Sequence, residues 1–467
     1  HPTLRRQRQM CIRDSFIGIG GVGMVGIAEM LINQGFYVSG SDLVKNKNTI
    51  RLNSLGAKIF IGHNEKNVRN SDVVVYSSAV NISNPEMKAA KSLNITLIPR
   101  AEMLSSLMRG FQSIAVAGSH GKTTTTSLIA DIFVRAKLDP TFIIGGKILG
   151  QENKSILGTG DYLIVEADES DASFLHLNPE ISVVTNIDND HLDYYENNLE
   201  KLDSTFLQFL ENLPFFGSAI ICTDSERSKK VFENLSRPKI SYGFDKKADY
   251  FIKDLKQQAK FQKFKIIRNS TGKEISLELT LSGKHNALNA TAAFIVAQKA
   301  GINTKVIKDS FKNFGGVSRR LEFKADLKIG GKSVTLIDDY GHHPTELKAT
   351  IEALKSTNPN KKICMIFQPH RYSRSTLFFK EFIECLRDVD TSIILDIYSA
   401  GEQNLQKISS YDFVNALIEK KKNAFFAKNL KEICKILESE IKGNEIIVTQ
   451  GAGNIVDISN SIKAIYK

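Results

Sequence analysis

Two short glycine-rich segments carry the chemistry of this chain. The first, from Phe16 to Gly26, reads FIGIGGVGMVG: an apolar run enters Gly18, Gly20, Gly21 and Gly23 and leaves as a helix. Glycines there allow a tight turn and let backbone N–H groups approach an anion at a helix N-terminus. Asp42 closes the next apolar run, the position at which a carboxylate meets a ribose hydroxyl in a nucleotide site. The second segment, Gly118 to Thr123, reads GSHGKT between the apolar run SIAVA and another helical stretch. In such a loop Lys122 bridges the terminal phosphates of ATP, the N–H groups of Ser119 to Lys122 cradle oxygens, and the Thr123 hydroxyl ligates Mg2+. Val116 stands where the general P-loop has its first glycine, so this is a shortened variant.

Acids gather at the same level. The run YLIV ends at Glu166, followed by Asp168, Glu169 and Asp171, and VVTNI ends in Asp188, Asn189, Asp190 and His191. Mg2+ (or Mn2+) takes oxygen ligands with phosphate completing its shell, which makes Thr123 and Glu166 candidates, with His191 a third ligand or a proton acceptor. Further on, IDDYGHHPTE sets Asp338 and Asp339 before His342, His343 and a proline-started helix, a pattern that serves helix capping as well as metal binding. His370, Arg371 and Arg374 follow the run ICMIFQ as a basic cluster suited to an α-carboxylate or a phosphate. Ligands of open parallel sheets collect at the carboxyl ends of strands, and each of these segments occupies such an end.

The elements that must position these groups form three α/β series. The first runs through FIGIG, VGIAEMLINQG, FYVSGSD and DVVVYSSA; the second through SIAVA, DYLIVEADES, ISVVTNI and SAIICT; the third through VTLIDDY, KKICMIFQ, TSIILDIY, NAFFA and EIIVTQG. Between the last two, residues 239–282 alternate polar and apolar as antiparallel strands do, and a helix is expected from Lys284 to Ala300. The expected architecture is α/β with three domains. A Rossmann-like N-terminal domain covers 15–108, a P-loop-type central ATPase domain with antiparallel strands covers 109–316, and a Rossmann-like C-terminal domain covers 317–467, with hinges near 108 and 316. Residues 1–14 lack apolar periodicity and are expected to be a non-native leader outside the fold.

Composition narrows the classes. A chain of 467 residues with 42% hydrophobic and 24% charged residues and only 10 prolines is globular. No apolar stretch is long enough for a membrane helix, so no membrane insertion is expected. Five cysteines without a C-x-x-C pair argue against a disulfide framework or a zinc site and suit the cytoplasm. The net charge of +11 is scattered among acids without interleaved aromatics, so no nucleic acid partner is expected.

Taken together, FIGIGGVGMVGIAEML, YSSAV, IPRAEML, GSHGKTTTT, EADESDASFLHL, VTNIDNDHLDYY, GKHNALNA, IDDYGHHPTE, FQPHRYSR, IYSAGE and GAGNI resemble the Mur ligase family, in order, from Phe16 to Ile455. The resemblance implies an ATP-dependent amide ligase of peptidoglycan precursor synthesis, a monomer or homodimer whose work serves cell wall biogenesis, cell shape and cell division. Its alanine-adding branch joins L-alanine to the lactyl carboxylate of UDP-N-acetylmuramate. By the same resemblance, Gly18, Gly20, Gly21, Gly23, Asp42, Ser77, Ser78 and Arg100 hold the UDP-sugar. Gly118, Ser119, His120, Gly121, Lys122, Thr123, Thr124, Asn289 and Arg320 hold ATP, Asn289 at the adenine. Thr123, Glu166 and His191 hold metal. Arg319 and Arg320 reach the transferring phosphoryl group. Tyr340, His342, His370, Arg371 and Arg374 complete the amino-acid and acyl-phosphate site, and Lys122, Glu166, His191, Arg320 and His342 are the catalytic set.

Some positions depart from the family pattern. Ser15 and Ser119 stand where histidine and threonine are usual, and Val25 replaces a small serine. Phe206 occupies the place of a modified lysine found in sister ligases, a lysine the alanine-adding branch is expected to lack. Three other readings compete: a recycling ligase that joins the same sugar nucleotide to a preformed peptide, a nicotinamide dehydrogenase suggested by the first loop alone, and a non-catalytic ATP-binding scaffold. GSHGKT is unexplained by the dehydrogenase, and intact Lys122, Glu166 and His191 weigh against the scaffold.

Overall fold

In a computed structural model of the chain, residues 12–77, 79–149, 155–190, 192, 194–258 and 261–467 are described. Ser78 and His191 lie outside the described residues. Three sheets organise them. The first contains β1 (Arg13–Ile17), β2 (Tyr37–Asp42), β3 (Lys58–Ile61), β4 (Val73–Tyr76) and β5 (Thr96–Pro99) in the order β3-β2-β1-β4-β5. All its pairings are parallel, the doubly wound arrangement expected for 15–108. Arg13 and Asp14, expected outside the fold, are the first two residues of β1, paired with Tyr37 and Val38. A ladder is made by backbone groups, so polar side chains do not bar these residues from it.

The second sheet holds β6 (Gln112–Ala117), β7 (Thr141–Ile143), β8 (Ser155–Ile156), β9 (Tyr162–Glu166), β10 (Ile181–Val184), β11 (Ser218–Cys222), β12 (Lys239–Gly243), β13 (Tyr250–Gln257), β14 (Gln262–Arg268) and β15 (Lys273–Leu279). Its order is β15-β14-β13-β12-β11-β10-β6-β9-β7-β8. Turns closed by Gln258 N–H on the Phe261 carbonyl (2.8 Å) and Gly272 N–H on the Arg268 carbonyl (2.9 Å) reverse the chain between β13, β14 and β15. These are the expected antiparallel strands. The start of the stretch is a correction: β12 runs parallel to both of its neighbours, β11 and β13. Alternating polarity reports a strand with one wet face, not its direction. The expected helix follows as Lys284–Lys299.

The third sheet, β16-β17-β21-β18-β19-β20, starts with the antiparallel pair β16 (Glu322–Ile329) and β17 (Lys332–Asp339). It continues in parallel through β21 (Glu445–Gln450), β18 (Lys362–Phe367), β19 (Thr391–Ile394) and β20 (Asn423–Phe426). Along β18, Ile363, Met365 and Phe367 enter one apolar cluster, while Cys364 and Ile366 enter another on the opposite face. A strand covered on both faces must be apolar throughout, which is why KICMIF reads as an unbroken run.

The chain divides into two compact units, one of residues 1–253, 266–275 and 288–311, the other of 254–265, 276–287 and 312–467. Within the first, Phe16, Met24 and Val25 share one apolar cluster with Ile143, Val165, Phe174 and Phe209. Movement at the expected hinge near 108 would therefore have to part apolar packing. Among the described residues no helix is long and apolar enough to cross a membrane, and no disulfide forms.

Candidate functional site

The second loop leaves β6 at Gly118, whose φ of +130° would drive a Cβ onto Thr185 Oγ1 and to 2.9 Å from the Asn186 carbonyl. Only glycine fits there. The helix Lys122–Arg135 opens at Gly121 in the left-handed region, φ +84°, and no side chain of the described residues caps it. Two of the N–H groups expected to cradle phosphate are committed elsewhere. Ser119 N–H donates to the Asn186 carbonyl (3.2 Å), and His120 N–H to Asn186 Oδ1 (2.9 Å). They brace the loop on the exit of β10. The N–H groups left to meet an anion are those of Gly121 and the first helical turn, which have no partner within the helix.

Lys122 lies inside this loop. Its Nζ donates to the Gly118 carbonyl at 2.7 Å and pairs with Glu169, Oε2 at 2.7 Å and Oε1 at 2.8 Å. Burial pulls the ammonium pKa down, but the carboxylates of Glu169, Asp168 and Glu166 outweigh it and hold the pKa above its ordinary value. Burial likewise raises Asp168, yet Lys122, hydrogen bonds from Ser170 and the nearby Arg100 bring its carboxyl below the usual range. Glu166 ends β9 opposite Val116 of β6, and a Cβ on Gly145 would stand 2.9 Å from its Oε2. Thr123 is half-buried and Thr124 buried. The carboxylates of Glu166, Asp168 and Glu169 around this ammonium are oxygen donors of the kind that fit Mg2+ or Mn2+ rather than a thiophilic metal. Asn289 is buried against the loop, with Oδ1 2.6 Å from where a Gly121 Cβ would sit. His120 Nε2 lies 3.0 Å from Asp188 Oδ2.

The first loop is built on the same plan. Gly18, at φ +80°, and Ile19 both donate to the Ser41 carbonyl, and the helix Val22–Asn33 opens at Gly21 without a side-chain cap among the described residues. A Cβ on Gly20 would lie 2.6 Å from Asn46 Nδ2 and 2.8 Å from Asp42 Oδ2. Asp42, expected at a ribose, turns one oxygen onto the loop itself, accepting from Gly20 N–H at 2.9 Å. Arg100, the first residue of the helix Arg100–Met108, rests on Gly23, with Nη1 3.2 Å from a Cβ built there. Ser77 follows β4, whose Tyr76 is in register with Ile17, so it enters beside Gly18. Gly18 to Gly23, Asp42, Ser77 and Arg100 thus occupy one sheet edge.

In the second unit the expected amino-acid residues come together. Tyr340 and His342 lie ring to ring at 5.5 Å, His342 and His370 at 5.5 Å, and Arg374 Nη1 sits 3.3 Å from His370 Nδ1. Arg319 and Arg320 both stand over the Tyr340 ring, at 5.0 and 5.1 Å. Asp338 and Asp339 serve structure. Asp338 accepts from Arg319 Nε (3.1 Å) and Thr449 (2.7 Å), while burial pushes its carboxyl up. Asp339 accepts from Gly341 N–H, Leu321 N–H and Gln450. His343 caps the helix Pro344–Thr357 in a capping box with Glu346. Arg371 lies at φ +67° and pairs with Glu402 at 3.8 Å.

Sequence reasoning missed the groups that orient these side chains, Asn186 at the second loop and Glu346, Tyr398 and Glu402 in the second unit, and it placed Glu169 in an acid cluster without foreseeing its pairing with Lys122. Glu346 accepts from His342 N–H (2.9 Å), lies 3.6 Å from His342 Nδ1 and meets Arg320 at 3.4 Å. The capping pattern H-P-T-E was a usable signal for it, and Glu169 stood within EADESD.

Comparison with known proteins matches three family models along the chain: the Mur ligase family, catalytic domain over residues 14–112, the Mur ligase middle domain over 116–297, and the Mur ligase, glutamate ligase domain over 319–453. Among solved structures, UDP-N-acetylmuramate-alanine ligase MurC from Thermotoga maritima is similar at 26% identity and a TM-score of 0.81, covering 97% of this chain and 99% of that one. A murein peptide ligase from Psychrobacter arcticus shares the fold at 22% identity and a TM-score of 0.70, covering 97% and 98%. MurF ligase from Thermotoga maritima, in complex with ADP, shares it at 17% identity and a TM-score of 0.62, covering 98% and 96%.

Proposed function

Because the chain belongs to the Mur ligase family, we propose that it joins L-alanine to the lactyl carboxylate of UDP-N-acetylmuramate. The products are UDP-N-acetylmuramoyl-L-alanine, ADP and phosphate, a cytoplasmic step of peptidoglycan precursor synthesis. The observation that carries this reading is the pair of uncapped helix N-termini within one compact unit, each beside its own cation, Arg100 at one and Lys122 at the other. Two nucleotides, a sugar diphosphate and a triphosphate, need two such seats. The likeness to the alanine ligase of Thermotoga maritima over nearly all of both chains supports the choice of amine.

An amide forms from a carboxylate and an amine only after the carbonyl is activated. The lactyl carboxylate oxygen attacks the γ-phosphorus of ATP, ADP leaves, and an acyl phosphate results. The neutral amine of L-alanine attacks that carbonyl, loses a proton, and phosphate departs with the C–O electron pair. Phosphoryl transfer depends on positioning and charge neutralisation. Lys122 supplies an ammonium held charged by its acidic neighbours, the Gly121 turn supplies N–H donors, and Arg320 supplies a guanidinium for the transferring group. Thr123, Glu166 and His191 would hold Mg2+, which when bound supplies positive charge at the phosphates. His342 takes or relays the amine proton, and Tyr340, His370, Arg371 and Arg374 hold the amino-acid carboxylate.

The test is ADP formation with UDP-N-acetylmuramate, comparing L-alanine, glycine, L-serine and the peptide L-Ala-γ-D-Glu-meso-diaminopimelate. Turnover with L-alanine supports the reading. Turnover with the peptide alone would replace it with the recycling ligase.

A further inference from the structure

His370, Arg371 and Arg374, expected to hold the amino acid, sit on a segment that passes through a disfavoured backbone conformation. Arg371 opens the six-residue helix Tyr372–Leu377 with φ +67° and ψ +139°, a conformation that disfavours any residue with a Cβ. The loop after β19 packs against this segment and bonds to it. Tyr398 N–H donates to the Pro369 carbonyl and Arg371 N–H to the Tyr398 carbonyl, both at 2.8 Å, so His370 and Tyr398 form an isolated parallel bridge. The bridge lays the Tyr398 ring flat against the His370 imidazole, centroids 5.4 Å apart and planes 15° off parallel. Four residues on, Glu402 takes the other end: its carboxylate accepts from Ser373 N–H (3.0 Å) and Ser373 Oγ (2.7 Å) and stands 3.8 Å from Arg371 Nη1. Gly453 passes close enough to the Tyr398 ring that a Cβ built there would lie 2.8 Å from it, so this approach needs glycine.

We propose that Tyr398 and Glu402 are positioning residues that clamp His370 and Arg371 from both sides and so set the presentation of the amino-acid subsite. The proposal rests on the reading of His370, Arg371 and Arg374 as that subsite. One face of His370 is covered by Tyr398, one edge meets Arg374, and the His342 ring lies at 5.5 Å. Those three contacts fix the plane of the imidazole. Glu402 fixes where the Arg371 guanidinium begins its reach. Small misplacements of such groups cost rate far out of proportion to their size.

The experiment uses the full chain with isotopically labelled histidine and two readouts: the His370 imidazole resonance, assigned by His370→Gln, and steady-state kinetics for L-alanine. Tyr398→Leu removes the ring and is expected to shift the His370 resonance and raise KM for L-alanine about tenfold, with KM for ATP within threefold. Tyr398→Phe keeps the stack and is expected to restore both readouts, which a need for the phenol hydroxyl would not allow. Glu402→Gln is expected to raise KM for L-alanine about threefold and leave the His370 resonance in place. An unchanged His370 resonance in Tyr398→Leu, or a KM for L-alanine within twofold of the native value, overturns the clamp. If Tyr398→Leu does not fold, Glu402→Gln decides: an unchanged KM for L-alanine refutes the clamp and a raised one upholds it. A His370 resonance that moves in a protein forming no ADP with L-alanine or the peptide upholds the clamp and refutes the ligase reading.

Discussion

Both glycine loops open their helices without a side-chain cap among the described residues, Gly21 in extended backbone and Gly121 left-handed, and they differ in what they hold beside them. At the first, a carboxylate, Asp42, braces the loop amide and the cation Arg100 leans on Gly23. At the second, the loop amides are braced by Asn186, and the cation Lys122 is drawn inward onto Gly118 and Glu169. The proposed first seat thus has its positive charge alongside the loop. In the second, under the proposed function, an arriving phosphate would exchange with Glu169 for the Lys122 ammonium. A seat of the first kind suits a ligand retained through the reaction, and one of the second kind suits phosphates that arrive, react and leave.

The sharpest way to break this contrast is Lys122→Ala. Loss of the ammonium is expected to lower ADP formation about 10³-fold. It also strands Glu169 in a buried site at a cost of about 3–5 kcal/mol. The double variant Lys122→Ala/Glu169→Gln recovers the thermal midpoint but not the activity, and both bind the UDP-sugar normally by calorimetry. Near-native turnover in Lys122→Ala would undo the assignment of the second loop.

The strands feeding the loops differ too. β1 buries Asp14, whose carboxyl burial raises to about 7. Folding then favours the protonated acid. No penalty exists below the unfolded value near 4; the penalty grows as pH rises towards 7 and is complete above it. Asp14→Asn is therefore expected to stabilise by up to about 4 kcal/mol at pH 8 and by nothing at pH 4, read as thermal midpoints at both. Equal midpoints at pH 8 would show that Asp14 is hydrated.

Gly118→Ala, which pushes a Cβ onto Thr185 at φ +130°, is expected to cost about 3 kcal/mol and abolish nucleotide binding while sparing the first loop. Arg100→Ala is expected to raise KM for the UDP-sugar about tenfold and leave KM for ATP within threefold, since only the first seat loses its cation. The smallest effect belongs to Asp42→Asn. Its amide oxygen still accepts from Gly20 N–H, so a change within about threefold marks a brace, and tenfold marks a ribose contact.

Both loops were legible because each needs glycine for a local reason, Gly18 and Gly121 lying at positive φ. KICMIF and EIIV were legible because strands covered on both faces are apolar throughout. β3 and β16 escaped notice because half-wet strands carry charge: KIFI and EFKADLKI do not stand out from loops. What the loop amides bond to was illegible for another reason. Asn186 meets Ser119 and His120 only because β10 lies beside β6, a fact of sheet order rather than of spacing. Glu402 and Tyr398 reach Ser373 and His370 across β18 and β19 in the same way. Residues that do chemistry leave a pattern in the chain, whereas residues that hold them leave one only in space.

The central claim, that one compact unit holds two separate anion seats, is tested most directly by a crystal structure with UDP-N-acetylmuramate and a non-hydrolysable ATP analogue together. The account predicts the diphosphate at Gly18–Gly23 beside Arg100, and the triphosphate at Gly121 and the first turn of its helix, with Lys122 turned from Glu169 to the phosphates. Both ligands in a single seat, or a triphosphate bound with the Lys122–Glu169 pair intact, would contradict it.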